Sequence, residues 1–202
     1  MNGSQGPRRM VERICGAAFR LRSAPLLLAA LLSSCAKPPL PVLGDVPHFQ
    51  LTAQTGQPFD SRSLAGHVWV ADFIYTTCPG PCPMMSSRMN RIQGSTAGLR
   101  NVKLVSFTVD PEHDTPRVLA AYGKHFNADP ARWFLLTGAR AALNDLGMNA
   151  FHLNSVDGSL IHSTRFALID RRGRIRGYYS SQEDDFLKKI LGDLHRLEAA
   201  NS

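Results

Sequence analysis

The chain has 202 residues with 23 basic and 16 acidic side chains, a net charge of +7, and four cysteines. This length suits one domain with a short additional segment, and no internal repeat indicates a solenoid or an array. The first 35 residues hold five arginines and one glutamate, so 18 basic and 15 acidic residues remain, about +3. Most of the basic charge therefore belongs to the N-terminus, and we expect no nucleic-acid partner.

The N-terminus has the pattern of an export signal. Basic residues precede an apolar run at residues 24–32, which is too short for a membrane span of about 20 residues. Residues 32–35 (LSSC) resemble a bacterial lipobox, in which cleavage precedes a cysteine that carries diacylglycerol. We therefore expect a lipoprotein signal peptide at residues 1–34, a lipid anchor at Cys35 and an extracytoplasmic domain that faces the periplasm. The alternative is an ordinary signal peptide or a short anchor, with Cys35 incidental.

The segment after the signal predicts a tether and then a single domain. Residues 35–47 are rich in proline, which favours an extended tether, and residues 48–202 form the predicted domain. The domain begins with a small hairpin at residues 49–57. Residues 68–75 (VWVADFIY) are apolar, β-branched and aromatic, which is typical of a buried strand. From residue 82 to about residue 93, apolar residues recur at helical spacing.

Two cysteines, Cys78 and Cys82, lie where this strand gives way to the helix. The positive end of a helix stabilises a thiolate, which is the form that attacks disulfides and binds soft metals such as Cu(I). Since Cys15 falls in the signal and Cys35 would be lipidated, one close pair remains. Such a pair predicts a redox or metal site rather than a disulfide framework. Two half-buried structural cysteines are the simpler alternative.

The rest of the chain alternates between strands and helices. Strands are predicted at residues 102–109, 133–136, 166–170 and 175–179, and helices at 140–146 and 186–197. A further helix opens at Asp114, Thr115 and Pro116, with Asp114 as the candidate capping residue and a proline in the first turn. This pattern predicts an α/β, thioredoxin-like fold with a central mixed sheet and helices on both faces.

Two side chains outside the cysteine loop are candidates for the site. His162 precedes the strand at 166–170, and in a thioredoxin-like fold the loop that enters this strand faces the cysteine loop. An imidazole there would help two thiolates to hold Cu(I) or Cu(II). Asp110 follows a strand at the carboxyl edge of the sheet, where the sites of α/β folds gather, although a carboxylate in a turn is a simpler reading. Met84 and Met85 are typical of a core rather than of thioether ligands.

Four motifs together resemble the Sco/SenC family of copper chaperones, named for synthesis of cytochrome c oxidase. They are residues 75–83 (YTTCPGPCP), 108–116 (TVDPEHDTP), 136–138 (LTG) and 162–173 (HSTRFALIDRRG), and they cover nearly all of residues 48–197 in the order of the family. The resemblance implies that Cys78, Cys82 and His162 bind one copper ion, and that Asp110 supports these ligands from behind. It also implies delivery of copper or electrons to the copper-bearing subunit of cytochrome c oxidase, at its binuclear centre, or to another extracytoplasmic copper protein.

Other functions would use the same residues. A thiol–disulfide oxidoreductase would attack with Cys78 and resolve with Cys82, but thioredoxin-type enzymes have two residues between their cysteines and this chain has three. A peroxidase that uses one cysteine ranks last. Zinc suits three ligands less well, because structural zinc sites have four. A copper chaperone needs no turnover and the sequence offers no convincing general base, so we expect a carrier rather than an enzyme.

Overall fold

The computed structural model describes residues 38–200 of the chain. All of its strands and helices lie in one compact unit that begins at Pro39. Within the described residues, no helix is long and apolar enough to cross a membrane. The predicted signal peptide at residues 1–34 and the predicted lipidation at Cys35 lie outside the described residues.

A single eight-stranded sheet forms the centre of the domain. Its strands follow the spatial order β1-β8-β7-β4-β5-β6-β2-β3, and only the β4–β5 and β5–β6 pairs are parallel. The bounds are β1 Gly44–Asp45, β2 Gln50–Ala53, β3 Pro58–Asp60, β4 Val68–Ile74, β5 Val102–Thr108, β6 Trp133–Thr137, β7 Arg165–Ile169 and β8 Arg174–Ser180. The prediction of a mixed sheet is therefore confirmed.

Helices cover both faces of this sheet, as predicted. The α-helices are α1 Cys82–Ser95, α2 Pro116–His125, α3 Arg140–Asp145 and α4 Phe186–Ala199, and a 3-10 helix at Ser61–Leu64 and a π-helix at Leu146–Ala150 are also present. Strand β4 is buried along its whole length, and its side chains alternate between the two faces. Val68 and Val70 pack with residues of α1, α2 and α4, whereas Trp69 and Phe73 pack with α3 and the β2–β3 hairpin. This double burial explains why the β4 sequence is an almost unbroken apolar run.

The start of α2 differs from the predicted pattern in one respect. Thr115 is the capping residue, and its hydroxyl accepts a hydrogen bond from the Val118 amide, with Pro116 in the first turn. Asp114 is instead fully buried and accepts hydrogen bonds from the side chains of Thr76, in the loop after β4, and Thr108, at the end of β5. A buried carboxylate needs such donors, and a capping position at the surface would not require its burial.

The proline-rich segment is partly docked on the domain. Strand β1 pairs with β8, and the Leu43 amide donates to the Ile175 carbonyl at 2.8 Å. Arg176 donates to the carbonyl oxygens of Leu40 and, at 2.9 Å, of Pro41. The domain therefore begins before the predicted boundary at residue 48, because β8 presents a sheet edge that the incoming segment covers.

Candidate metal centre

The cysteine loop connects the carboxyl end of β4 to the first turn of α1. Cys82 is the first residue of α1 and has no exposed surface, while Cys78 is 7% exposed. The prolines at 81 and 83 suit this position, since the first turn of a helix has amide groups without intrahelical partners. Both thiols are free and point into a small apolar cluster with Ile74. The strand–loop–helix arrangement predicted from the sequence is present.

His162 meets the cysteines from an irregular segment at residues 151–164, directly before β7. Its Nε2 atom lies 3.1 Å from the Cys82 Sγ atom, and its Nδ1 atom is 3.1 Å from the Ser163 carbonyl oxygen, which orients the ring. The ligand atoms of Cys78, Cys82 and His162 all lie within 4.8 Å of one another. Among the described residues this is the one group of three or more such side chains close enough to share a metal ion.

The two thiols have opposite electrostatic environments. Burial raises the pKa of the Cys78 thiol, but hydrogen bonds with His162, with the amide and thiol of Cys82 and with the Gly80 amide outweigh it and lower the pKa to about 6. Burial raises the pKa of the Cys82 thiol well above its ordinary value, and the nearby Cys78 adds to the effect. Cys78 is therefore the thiolate of the pair at neutral pH, and Cys82 keeps its proton until a cation replaces it.

Tyr75 forms a wall of the site that the sequence analysis did not identify. Its ring meets the His162 ring edge to face, with centroids 5.6 Å apart. A hydrogen bond with Cys78 is the main cause of the raised pKa of the Tyr75 hydroxyl, and Cys82 and Asp110 contribute through their charges. Because Tyr75 follows β4 directly, its place at the end of a buried strand was the one available signal.

Asp110 lies near the site but has no hydrogen bond with the three candidate ligands. It is 6% exposed, and its carboxylate is 2.9 Å from Nδ1 of His113, whose pKa is raised mainly by this contact. The backbone amide of Asp110 donates to the Thr108 hydroxyl at 2.9 Å, and that hydroxyl donates to Asp114. The role of Asp110 behind the ligands stays a prediction.

Two buried carboxylates close to the site were missed from the sequence. Asp114 accepts hydrogen bonds from the amide and hydroxyl of Thr76 and from the hydroxyl of Thr108, so it joins the cysteine loop to β5. Asp72 lies on β4 and is fully buried, on the face of the strand that it shares with Ile74. A lone acidic residue in the apolar run at residues 68–75 was the available signal for Asp72.

The remaining histidines of the described residues lie outside this group, and the two predicted core methionines differ in burial. Met85 is buried in the core beneath α1, as predicted, whereas Met84 is 38% exposed. Of the other histidines, His48 and His113 pair with carboxylates, and the metal-binding group contains His162 alone.

The donor set determines which metals the site suits. Two thiolates and one imidazole are soft and borderline donors, which favour Cu(I) and also accommodate Cu(II). Donor atoms within 4.8 Å of one another need only small shifts to share one ion at bond lengths of about 2.0–2.3 Å. No fourth side chain of these types completes a tetrahedral zinc site among the described residues. The residues therefore fit a three-coordinate copper ion.

Comparison with known proteins identifies the family. Residues 44–197 match the sequence model of the SCO1/SenC family. The solved structure of a SCO1/SenC family lipoprotein from Bacillus anthracis str. Ames is 35% identical, with a TM-score of 0.71 over 77% of this chain and 95% of that one. BsSco, a Sco family cytochrome c oxidase assembly protein with a disulfide switch, is 28% identical, with a TM-score of 0.70 over 79% and 97% of the two chains. Copper-bound ScoI from Bradyrhizobium japonicum is 28% identical, with a TM-score of 0.59 over 76% and 99%. The chain belongs to the SCO1/SenC family.

Proposed function

We propose that this protein binds one copper ion through Cys78, Cys82 and His162 and delivers it to the binuclear copper centre of cytochrome c oxidase. The observation that carries the proposal is the meeting of three donor atoms within 4.8 Å, from residues up to 84 positions apart in the sequence. Copper bound to the related ScoI and the assembly role of the related BsSco support the same conclusion.

The three ligands have different parts in loading and release. Cys78 is mainly a thiolate at neutral pH and is the natural first contact for an incoming Cu(I) ion. Cys82 is completely buried and would lose its proton as it becomes the second ligand. His162 is partly exposed on a coil, so it is the ligand that a partner can replace first. Release would then proceed by stepwise exchange for the thiols and imidazoles of the acceptor.

We also propose that the domain is held at the periplasmic face of a membrane by a lipid on Cys35. A lipoprotein among the related solved structures supports this location. Leu40 lies five residues after Cys35, and its carbonyl oxygen accepts a hydrogen bond from Arg176 on the domain. Five residues span at most about 18 Å, so the anchor would keep the domain close to the membrane that also holds the oxidase. Metabolic labelling with a radioactive fatty acid, compared with a Cys35→Ser variant, tests this; label retained in the variant would contradict it.

Copper binding is tested by anaerobic titration of the reduced protein with Cu(I) against a competing chelator. The background is the full chain with Cys15→Ser and Cys35→Ser, in which Cys78 and Cys82 are the only thiols. We expect one tightly held copper ion in this protein and much weaker retention after His162→Ala. The matched control is His195→Ala, an exposed imidazole on α4 outside the metal-binding group. No retention by the parent, or equal retention by all three proteins, would contradict the proposal.

A thiol–disulfide oxidoreductase is the second candidate, and the unequal thiols favour it. A low-pKa thiol beside a protonated one is the arrangement of an attacking and a resolving cysteine. This activity would keep the copper-binding cysteines of the acceptor reduced, and a Cys78–Cys82 disulfide would exclude copper. His162→Ala separates the two functions, since it removes a copper ligand and leaves both thiols in place; the reduction of a disulfide substrate should persist, slowed by the higher pKa of Cys78. Reduction that fails in Cys78→Ser but persists in His162→Ala would support the second function.

A further inference from the structure

Asp72 is an acidic side chain in the most buried layer of the protein. It occupies the centre of β4, has no exposed surface, and faces the same side of the sheet as Ile74, which packs against both cysteines. Its neighbours along β4 are apolar and fully buried. Burying a carboxylate without a paired cation is strongly unfavourable, so the group needs a compensating partner or a raised pKa.

The protein supplies only part of that compensation. Trp133 donates from Nε1 to the Ser106 hydroxyl at 3.0 Å, and Ser106 donates to Oδ1 of Asp72 at 2.6 Å. Oδ2 of Asp72 is buried and accepts no hydrogen bond from the described residues. No arginine, lysine or histidine within residues 38–200 forms an ion pair with the Asp72 carboxylate. One oxygen of the carboxylate is left without a partner beneath the site.

The charge of Asp72 acts on the site above it. Burial raises the pKa of this carboxyl to about 7, while the hydrogen bond from Ser106 and the charge of His162 oppose the rise. In turn, the negative charge of Asp72 contributes to the raised pKa values of Cys82 and Tyr122. Interior charges interact more strongly than exposed ones because water screens them less.

We propose that Asp72 is a buried counter-charge that shifts the preference of the site from Cu(I) toward Cu(II). The inference rests on the proposed copper-binding function and concerns which oxidation state the site retains. Two thiolates leave the site at a net charge of −1 with Cu(I) and neutral with Cu(II). The Asp72 carboxylate attracts each unit of positive charge on the bound ion. Cu(II) therefore gains more binding free energy from Asp72 than Cu(I) does. Asp72 is not a ligand of the ion and acts on it only through its charge.

The test compares dissociation constants for Cu(I) and Cu(II), each measured by chelator competition at about pH 8.5, where a carboxyl group with a pKa of about 7 is ionised, in the background with Cys15→Ser and Cys35→Ser. In Asp72→Asn, which keeps the size of the side chain and removes the charge, we expect the ratio of the Cu(II) constant to the Cu(I) constant to rise about tenfold. This change equals a rise of about 59 mV in the one-electron potential of bound copper. Asp184→Asn is the matched control, since it removes one exposed carboxylate from the surface; its ratio should stay close to the parent value.

The outcomes separate this inference from the proposed function. A ratio that changes less than twofold in Asp72→Asn, with copper binding intact in the parent, overturns the inference alone. Equal weakening of both ions in Asp72→Asn assigns Asp72 a merely structural role and overturns the inference. The same change of ratio in Asp184→Asn would show that loss of any carboxylate has this effect, and it overturns the inference as well. Absence of copper binding in the parent overturns the proposed function and the inference together. If Asp72→Asn does not fold, Asp72→Ser removes the charge with a smaller polar side chain and is measured instead.

Discussion

Replacing Asp114 by alanine should destabilise the domain and loosen the cysteine loop at the same time. The Asp114 carboxylate receives three donors: the Thr76 amide at 3.2 Å, the Thr76 hydroxyl at 2.5 Å and the Thr108 hydroxyl at 2.5 Å. It is fully buried, so water cannot replace it for these donors without opening the structure. At about 1 kcal/mol for each hydrogen bond, we expect the free energy of unfolding to fall by about 3 kcal/mol.

Urea unfolding of the reduced, metal-free protein measures this loss directly. For a domain of this size, about 3 kcal/mol corresponds to a fall in Tm of about 6–12 °C. Thr76 lies two residues before Cys78, so the rate of alkylation of Cys78 should change as well. Asp114→Asn is the matched control, because its amide oxygen still accepts a hydrogen bond and its loss should be smaller. A free energy of unfolding within about 0.5 kcal/mol of the parent in Asp114→Ala would refute this reasoning.

Two further predictions concern the thiols and the chain that leads to His162. The pKa of Cys78 is lowered to about 6, so its thiolate forms above that pH, and its alkylation by iodoacetamide should fall as the pH drops through 6. Peptide mass spectrometry at pH 7 should find the label on Cys78; preferential labelling of Cys82 would contradict the assignment. A Cβ atom at Gly147 would lie 2.5 Å from the Asn154 carbonyl oxygen, so Gly147→Ala should lower the free energy of unfolding by about 1–3 kcal/mol. The control Gly192→Ala, in an open position on α4, should raise it by about 0.5–1 kcal/mol, and equal effects of the two substitutions would count against the clash.

The elements around the cysteines were predictable because they depend on neighbours in the sequence. The apolar run of β4 reflects burial on both faces, and the prolines around Cys82 mark a helix start. His162 was predicted from fold topology, since the loop before β7 faces the loop after β4 when the two strands are adjacent, and β4 pairs with β7. These inferences required only periodicity, backbone restrictions and strand order.

The polar groups around the site were not predictable, because their partners are distant in the chain. Asp114 meets Thr76 across 38 positions and Asp72 meets Ser106 across 34. A capping role for Asp114 followed from local sequence alone, and the folded chain assigned the cap to Thr115 instead. Whether a carboxylate is exposed or buried depends on what packs over it, which local patterns do not contain.

The docking of the proline-rich segment has the same cause. Its composition indicates an extended chain but not what that chain lies against. Residues 44 and 45 pair with β8, about 130 positions later, and Arg176 holds the segment at Leu40 and Pro41. By itself the sequence determined the strands, the helices and the cysteine pair, because burial and backbone restrictions leave periodic, local signals; His162 followed from strand order and from the family resemblance. Only the tertiary structure decided the carboxylates beneath and beside the site and the place of the N-terminal segment, because those contacts form after distant parts of the chain come together.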